Sequence, residues 1–173
     1  MTRPLPEILH QRGPVEHRHV RVRAAVLLSN ADSVYAIRSA IQGEEAWFLP
    51  GGALNWGETV VDAAKRELME EVGLSTALAG PIAIVESMNP GLTFHALELV
   101  FHAGAPARHE LLAREELDPG DDPRDRLAIE GRWLTRNELA HLPIYPKSLF
   151  SLLLEWPGSV ESFAPGYIVD DWG

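Results

Sequence analysis

The stretch from Thr59 to Gly73 can form little but a helix, and its charges restrict what that helix can do. Thr59 with Asp62 three residues on marks an N-terminus, and Gly73 before Leu74 marks a C-terminus, which brackets the helix at about residues 60–72. At about 3.6 residues per turn, Val61, Ala64, Leu68 and Val72 share one side and are expected to face the core. Glu67, Glu70 and Glu71, spaced i, i+3 and i+4, occupy an adjoining arc.

Like charges four residues apart cost a helix about 0.2–0.5 kcal/mol per pair, and more where water is excluded. Arg66 can pair with Glu70 at i+4, but Glu67 and Glu71 are each other's i+4 neighbours, with no lysine or arginine three or four positions away. A fully solvated face would tolerate this. A divalent cation would relieve it, since magnesium and manganese prefer carboxylate oxygen and bridge it to phosphates. The triad alone is compatible with both readings.

The rest of the chain narrows the choice. Its 173 residues suit one domain, with 46% hydrophobic and 23% charged residues. The net charge of −10 opposes binding to polymeric nucleic acid, which relies on clustered cations. With no cysteine, disulfides, thiolate metal sites and a cysteine nucleophile are excluded. No apolar run approaches the ~20 residues of a membrane span, and the start lacks the apolar core of a signal peptide, so no membrane partner and a cytoplasmic location are expected.

Along the chain, residues 1–17 read as an irregular arm, residues 18–156 as the domain and residues 157–173 as an irregular tail. Residues 20–28 and 34–40 read as strands around the turn "SNADS", and "AWFLPGG" as a short strand broken by Pro50 and two glycines. "PIAIVESMN" and "LTFHALELVFHAG" read as strands joined at Pro90 and Gly91. Residues 110–130, with eight carboxylates and three arginines, read as a loop. A strand, a helix opening near Thr135 with Glu138 to complete its capping box, and a closing helix with Leu149, Leu152 and Leu153 on one face follow. This order suggests an α/β layered domain with a mixed sheet between helices.

Gly52, Glu58, Arg66, Glu67, Leu68, Glu70, Glu71, Gly73 and Leu74 match all nine fixed positions of the Nudix signature G-x5-E-x7-R-E-U-x-E-E-x-G-U, where U is a bulky aliphatic residue. The chain therefore resembles the Nudix hydrolases, strongly over residues 49–74 and in element order over about residues 20–145. The resemblance implies the Nudix α/β/α sandwich and hydrolysis of a nucleoside diphosphate linked to another group X. It implies Mg²⁺ or Mn²⁺ as cofactor, with Glu67, Glu70 and Glu71 as ligands, the Gly52 carbonyl as another and Glu58 bound more loosely. Arg66 would orient a glutamate, Glu71 could itself be the base, and Gly51, Gly52 and Gly73 would serve the backbone.

Many relatives carry a further glutamate six residues before a tryptophan. Here that tryptophan corresponds to Trp133, and Leu127 stands at the glutamate position. Asp122, Asp125, Glu130 or Glu98 could substitute. For the substrate, Pro90 resembles the proline of ADP-ribose pyrophosphatases, although His95 replaces their following glutamate. ADP-ribose is thus the leading expectation, with nucleoside triphosphates, oxidised ones included, and diadenosine polyphosphates as alternatives. Trp47 and Phe94 are candidates for substrate contact with Pro90, and Phe48, Trp56 and Phe101 are further rings able to stack on a base. His95 and His102 show no evident partner in the sequence. A small-molecule nucleotide is the expected partner, and a homodimer is left open. The rival from another class is a nucleotide-sensing Nudix domain without activity, which would be expected to have lost these carboxylates.

Overall fold

A computed structural model of the chain describes residues 20–30, 32–41, 44–89, 94–104 and 127–171. β1 (Arg21–Asn30) is at its centre because it is apolar on both faces: Ala24, Val26 and Leu28 join one core cluster, and Ala25 and Leu27 the other. Such a strand needs a cover on each side. One is α1 (Val60–Val72), which buries Ala63, Ala64, Leu68 and Val72. The other is α3 (Lys147–Glu155), whose Leu149, Phe150 and Leu153 lie in the opposite cluster with α2 (Arg136–Leu139) nearby.

The remaining strands are β2 (Ser33–Ile41), β3 (Glu44–Phe48), β4 (Gly51–Ala53), β5 (Ala79–Asn89), β6 (Phe94–Gly104), β7 (Leu127–Thr135), β8 (Ile144–Tyr145) and β9 (Gly166–Asp171). Among the described residues they form one mixed sheet in the order β8-β3-β2-β1-β6-β5-β9, with β4 laid along β1 and β7 along β2. The α/β class with a mixed sheet between helices is the architecture expected from the sequence.

The helix bounds follow from the caps. Thr59 accepts from the Asp62 N–H, and Gly73 closes the last turn at φ 70°, donating to the Met69 carbonyl at 2.9 Å. Thr135 and Glu138 form the reciprocal capping box of α2.

Four expectations need correction. Val61 is 40% exposed, and Ala63 takes its place in the core. The small Ala63 and Ala64 join Ala24, Val26 and Leu28 of β1 in one core cluster, so this side of α1 faces the sheet and the bulkier Val61 is turned away. In α3, Leu152 is 41% exposed while Phe150 is buried, since Phe150 falls on the far side of the Leu149–Leu153 seam from Leu152. Residues 127–130 belong to β7, where Leu127 pairs with Ala40 and Glu130 with Arg38; the Leu-Ala-Ile run is apolar and pairs with β2, unlike the acidic, turn-rich residues that precede it in sequence. The rest of the expected loop and the Pro90–Gly91 turn lie outside the described residues.

The segment after Pro157 is not wholly irregular: a short 3₁₀ turn (Val160–Ser162) leads to β9, parallel to β5. Within β9, Asp170 is buried and accepts from both the Ser148 N–H (2.8 Å) and the Ser148 hydroxyl (2.6 Å). It thereby caps α3, whose own N-cap residue, Pro146, has no side-chain donor or acceptor.

Candidate active site

β4 places the glycines. It runs antiparallel to β1 with Ala25 opposite Gly51 and Ala24 opposite Gly52. A Cβ at Gly51 would lie 2.3 Å from the Ala24 carbonyl oxygen, and one at Gly52 would lie 2.1 Å from Glu67 Oε1. Side chains are thus excluded at both positions, and at Gly52 the space is filled by a carboxylate.

The carboxylates reach β4 because of where α1 packs. On a helix of about 100° per residue, Glu67 and Glu71 fall between Ala63 and Ala64, two buried positions. They are therefore on the packing face of α1. Glu71 Oε2 accepts from the Gly51 N–H at 2.7 Å. Glu70, further round the helix, is exposed.

Arg66 gathers the remainder. Its Nη1 donates to Glu67 Oε1 (2.7 Å) and Glu70 Oε2 (3.1 Å). Nε and Nη2 donate to the two oxygens of Glu58 (3.2 and 2.8 Å), and Nη2 also to the Ala53 carbonyl (3.1 Å). One guanidinium thus serves three carboxylates and the end of β4, which suits its planar fork. Spacing alone had paired Arg66 only with Glu70.

The local field is uneven. Hydrogen bonding from Arg66, followed by the Asn55 N–H, holds Glu58 below the usual carboxylate range, with burial opposing. At Glu67 burial dominates and pushes the carboxyl up, Arg66 opposing and the Glu70 charge adding to the rise. The Arg66 guanidinium is held further towards its charged form, first by Glu58.

Two residues not singled out from the sequence also belong here. Arg23, on β1, donates from Nε to Glu98 Oε1 (3.1 Å) and from Nη2 to the Gly51 carbonyl (2.8 Å). Tyr35, on β2, packs edge-on against Trp133 with ring centroids 5.5 Å apart. Its hydroxyl lies against Gly131, where a Cβ would be 2.2 Å from it, and burial, then the Glu71 charge, raise its pKa. A buried arginine and tyrosine in apolar strands are a weak sequence signal, since tyrosine reads as core and arginine as a strand edge.

Other candidates lie elsewhere. Trp47 is 5% exposed in the core cluster on the α3 side, across the sheet from α1, with Arg132 over its ring at 4.9 Å. Phe48 and Phe101 are buried, whereas Trp56 is fully exposed in the turn before Glu58. Phe94 opens β6, but its side chain, Pro90, Asp122 and Asp125 lie outside the described residues. Glu130 is engaged by Arg38 at 3.0 Å and lies near Arg132. His95 and His102 do have partners, Glu86 and Ser29, each at 2.7 Å.

The candidate donor set of Glu58, Glu67, Glu70, Glu71 and the Gly52 carbonyl is all oxygen. Among the described residues no three acidic or histidine side chains form a ready-made metal cage. That is compatible with a magnesium-type ion, which takes one or two protein carboxylates and completes its shell with water and substrate phosphate.

A layered α/β domain that presses a carboxylate-bearing helix edge against a Gly-Gly strand defines the Nudix class. The family model described as NUDIX domain matches residues 18–152, and the chain belongs to that family. It is 39% identical over 75 residues to an RNA pyrophosphohydrolase of Erythrobacter litoralis (strain HTCC2594), 41% of this chain and 46% of that protein. It is 45% identical over 51 residues to the 8-oxo-dGDP phosphatase NUDT18 of Homo sapiens, 29% of this chain and 16% of that protein. The matched stretches thus span less than half the length of these relatives. Among solved structures, the MutT NUDIX hydrolase from Burkholderia pseudomallei superposes with a TM-score of 0.63 at 22% identity, over 81% of this chain and 99% of that one. No helix among the described residues is long and apolar enough to cross a membrane.

Proposed function

We propose that this protein hydrolyses a phosphate anhydride bond in a nucleoside diphosphate linked to a further group, with Mg²⁺ or Mn²⁺ as cofactor. The observation that carries the reading is the convergence of Glu58, Glu67 and Glu70 on Arg66, next to Glu71 hydrogen-bonded to the Gly51 N–H. A like-charged cluster partly withdrawn from water is costly to keep, and a cation-requiring reaction accounts for it.

Glu67, Glu70 and Glu71, with the Gly52 carbonyl and more loosely Glu58, are the residues that would hold the cation. The cation, when bound, lowers the pKa of water and offsets charge on phosphoryl oxygens. Arg66 orients Glu58, Glu67 and Glu70, the Gly51 N–H orients Glu71, and Glu71 is the carboxylate proposed to take the proton of the attacking water.

The names of the relatives favour nucleoside di- and triphosphates, oxidised ones included, as the first substrates to test, with ADP-ribose and diadenosine polyphosphates beside them. Trp56, whose ring is fully exposed beside the Glu58 turn, is better placed for stacking than the buried Trp47. The net charge of −10 favours a small nucleotide over a polymer.

The test is a nucleotide panel with Mg²⁺ or Mn²⁺, run on wild type and Glu71→Gln. Loss of roughly 10²–10⁴ in kcat is expected for the variant, with an unchanged or higher Tm in cation-free buffer. Equal activity in the variant would remove Glu71 from the site. A folded wild type that neither binds these cations nor turns over any panel member would favour the sensor reading.

A further inference from the structure

Arg23 and Glu98 are 7% and 8% exposed, an ion pair in the interior of the sheet. β1 lies parallel to β6 with Arg23 opposite Glu98, and antiparallel to β4 with Arg23 opposite Ala53. Since side chains alternate along a strand, Arg23 leaves β1 on the side of Ala25 and Leu27, away from α1.

Stability does not explain the pair. An interior ion pair is often matched or bettered by apolar side chains of similar volume, because desolvation offsets the attraction. On the same face, Ala25 of β1 and Ala96 and Val100 of β6 are buried and apolar, and an aliphatic pair would suit them.

What an aliphatic pair cannot do is hold a backbone carbonyl. Glu98 takes Arg23 Nε at 3.1 Å, which fixes the guanidinium plane, and Nη2 then donates to the Gly51 carbonyl at 2.8 Å. The N–H of the same Gly51 donates to Glu71 Oε2 at 2.7 Å. Gly51 is therefore gripped by an arginine through its carbonyl and by a glutamate of α1 through its N–H. Having no side chain of its own, it is located by these bonds and by the β1 ladder.

We infer that Arg23, aligned by Glu98, is a positioning residue that fixes Gly51 so that its N–H orients Glu71. This assigns Glu98 a supporting role, in place of that of the acid missing at Leu127. The inference rests on the reading of Glu71 as an active-site carboxylate.

The test uses the full chain carrying Arg23→Met with Glu98→Leu, and separately Glu98→Gln and Arg23→Lys. Two readouts are taken: the hydrogen-exchange protection of the Gly51 amide by NMR, and kcat and KM on whichever panel nucleotide the wild type hydrolyses. For the double variant a Tm close to wild type is expected, with Gly51 protection reduced at least about tenfold and kcat down about 10- to 100-fold at little changed KM. Arg23→Lys should show a loss intermediate between wild type and the double variant, since it keeps the charge but lacks the fork. If the double variant does not fold, Glu98→Gln is expected to show the same losses in smaller measure. A folded double variant, or Glu98→Gln in its place, with wild-type Gly51 protection and kcat would overturn the inference. Should the wild type hydrolyse nothing, the proposed function fails, and the exchange measurement alone still decides whether Arg23 fixes Gly51.

Discussion

Gly52 and Glu67 compete for one volume: a methyl group on Gly52 would lie 2.1 Å from Glu67 Oε1. Gly52→Ala must therefore displace the Glu67 carboxylate or push β4 away from α1. The expected cost is about 1–3 kcal/mol of stability, as for other overpacked sites. A matching loss of Mn²⁺ affinity is expected by titration. Unaltered unfolding and metal binding would show that Glu67 can move aside freely.

Arg66 is the only cation hydrogen-bonded to Glu58, Glu67 and Glu70 among the bonds described. Arg66→Met leaves those carboxylates facing one another. Urea unfolding in cation-free buffer should show a loss of about 1–3 kcal/mol. Millimolar Mn²⁺ should restore more stability to this variant than it adds to wild type. A variant as stable as wild type without cations would mean that the carboxylates are well enough solvated to need no partner.

His102 makes a sequence-silent contribution to pH dependence. Burial lowers its pKa from the ordinary 6.5, Glu161 opposing, and Ser29 Oγ lies 2.7 Å from its Nε2. With the folded pKa below the unfolded one, the stability this group supplies is complete above pH 6.5 and is lost as the pH falls from there through the folded value. Urea midpoints measured from pH 7.5 downwards should fall less for His102→Gln than for wild type. Parallel curves would exclude His102 as a contributor.

The roll of α1 is testable without any substrate. Val61→Ser should change stability by less than about 0.5 kcal/mol, whereas Leu68→Ala should cost about 2–5 kcal/mol. Ala63→Leu should cost about 1–3 kcal/mol by overpacking the core between α1 and the sheet. A large effect at Val61 with a small one at Ala63 would restore the face read from periodicity.

The caps of α1 were legible because Thr59 and Gly73 act through bonds within one turn of the helix, and no distant partner is involved. The carboxylates were legible as a group because Glu67, Glu70 and Glu71 share one helix. The strands β1, β2, β5 and β6 announced themselves through long apolar or alternating runs that tertiary context reinforces. By contrast, β9 is short, carries the buried Asp170 and follows a stretch broken by Pro157, Gly158 and Pro165, so its pairing with β5 is what makes it a strand.

The sequence by itself determined a capped helix, an acidic edge and the Gly-Gly pair at fixed distances along the chain, because these depend on local geometry. The tertiary structure decided which side of that helix meets the sheet, that Arg66 serves three glutamates, and that Arg23 and Glu98, 75 positions apart, meet at Gly51. Those outcomes depend on strand order and on how closely small residues let two backbones approach, and no spacing in the chain records either.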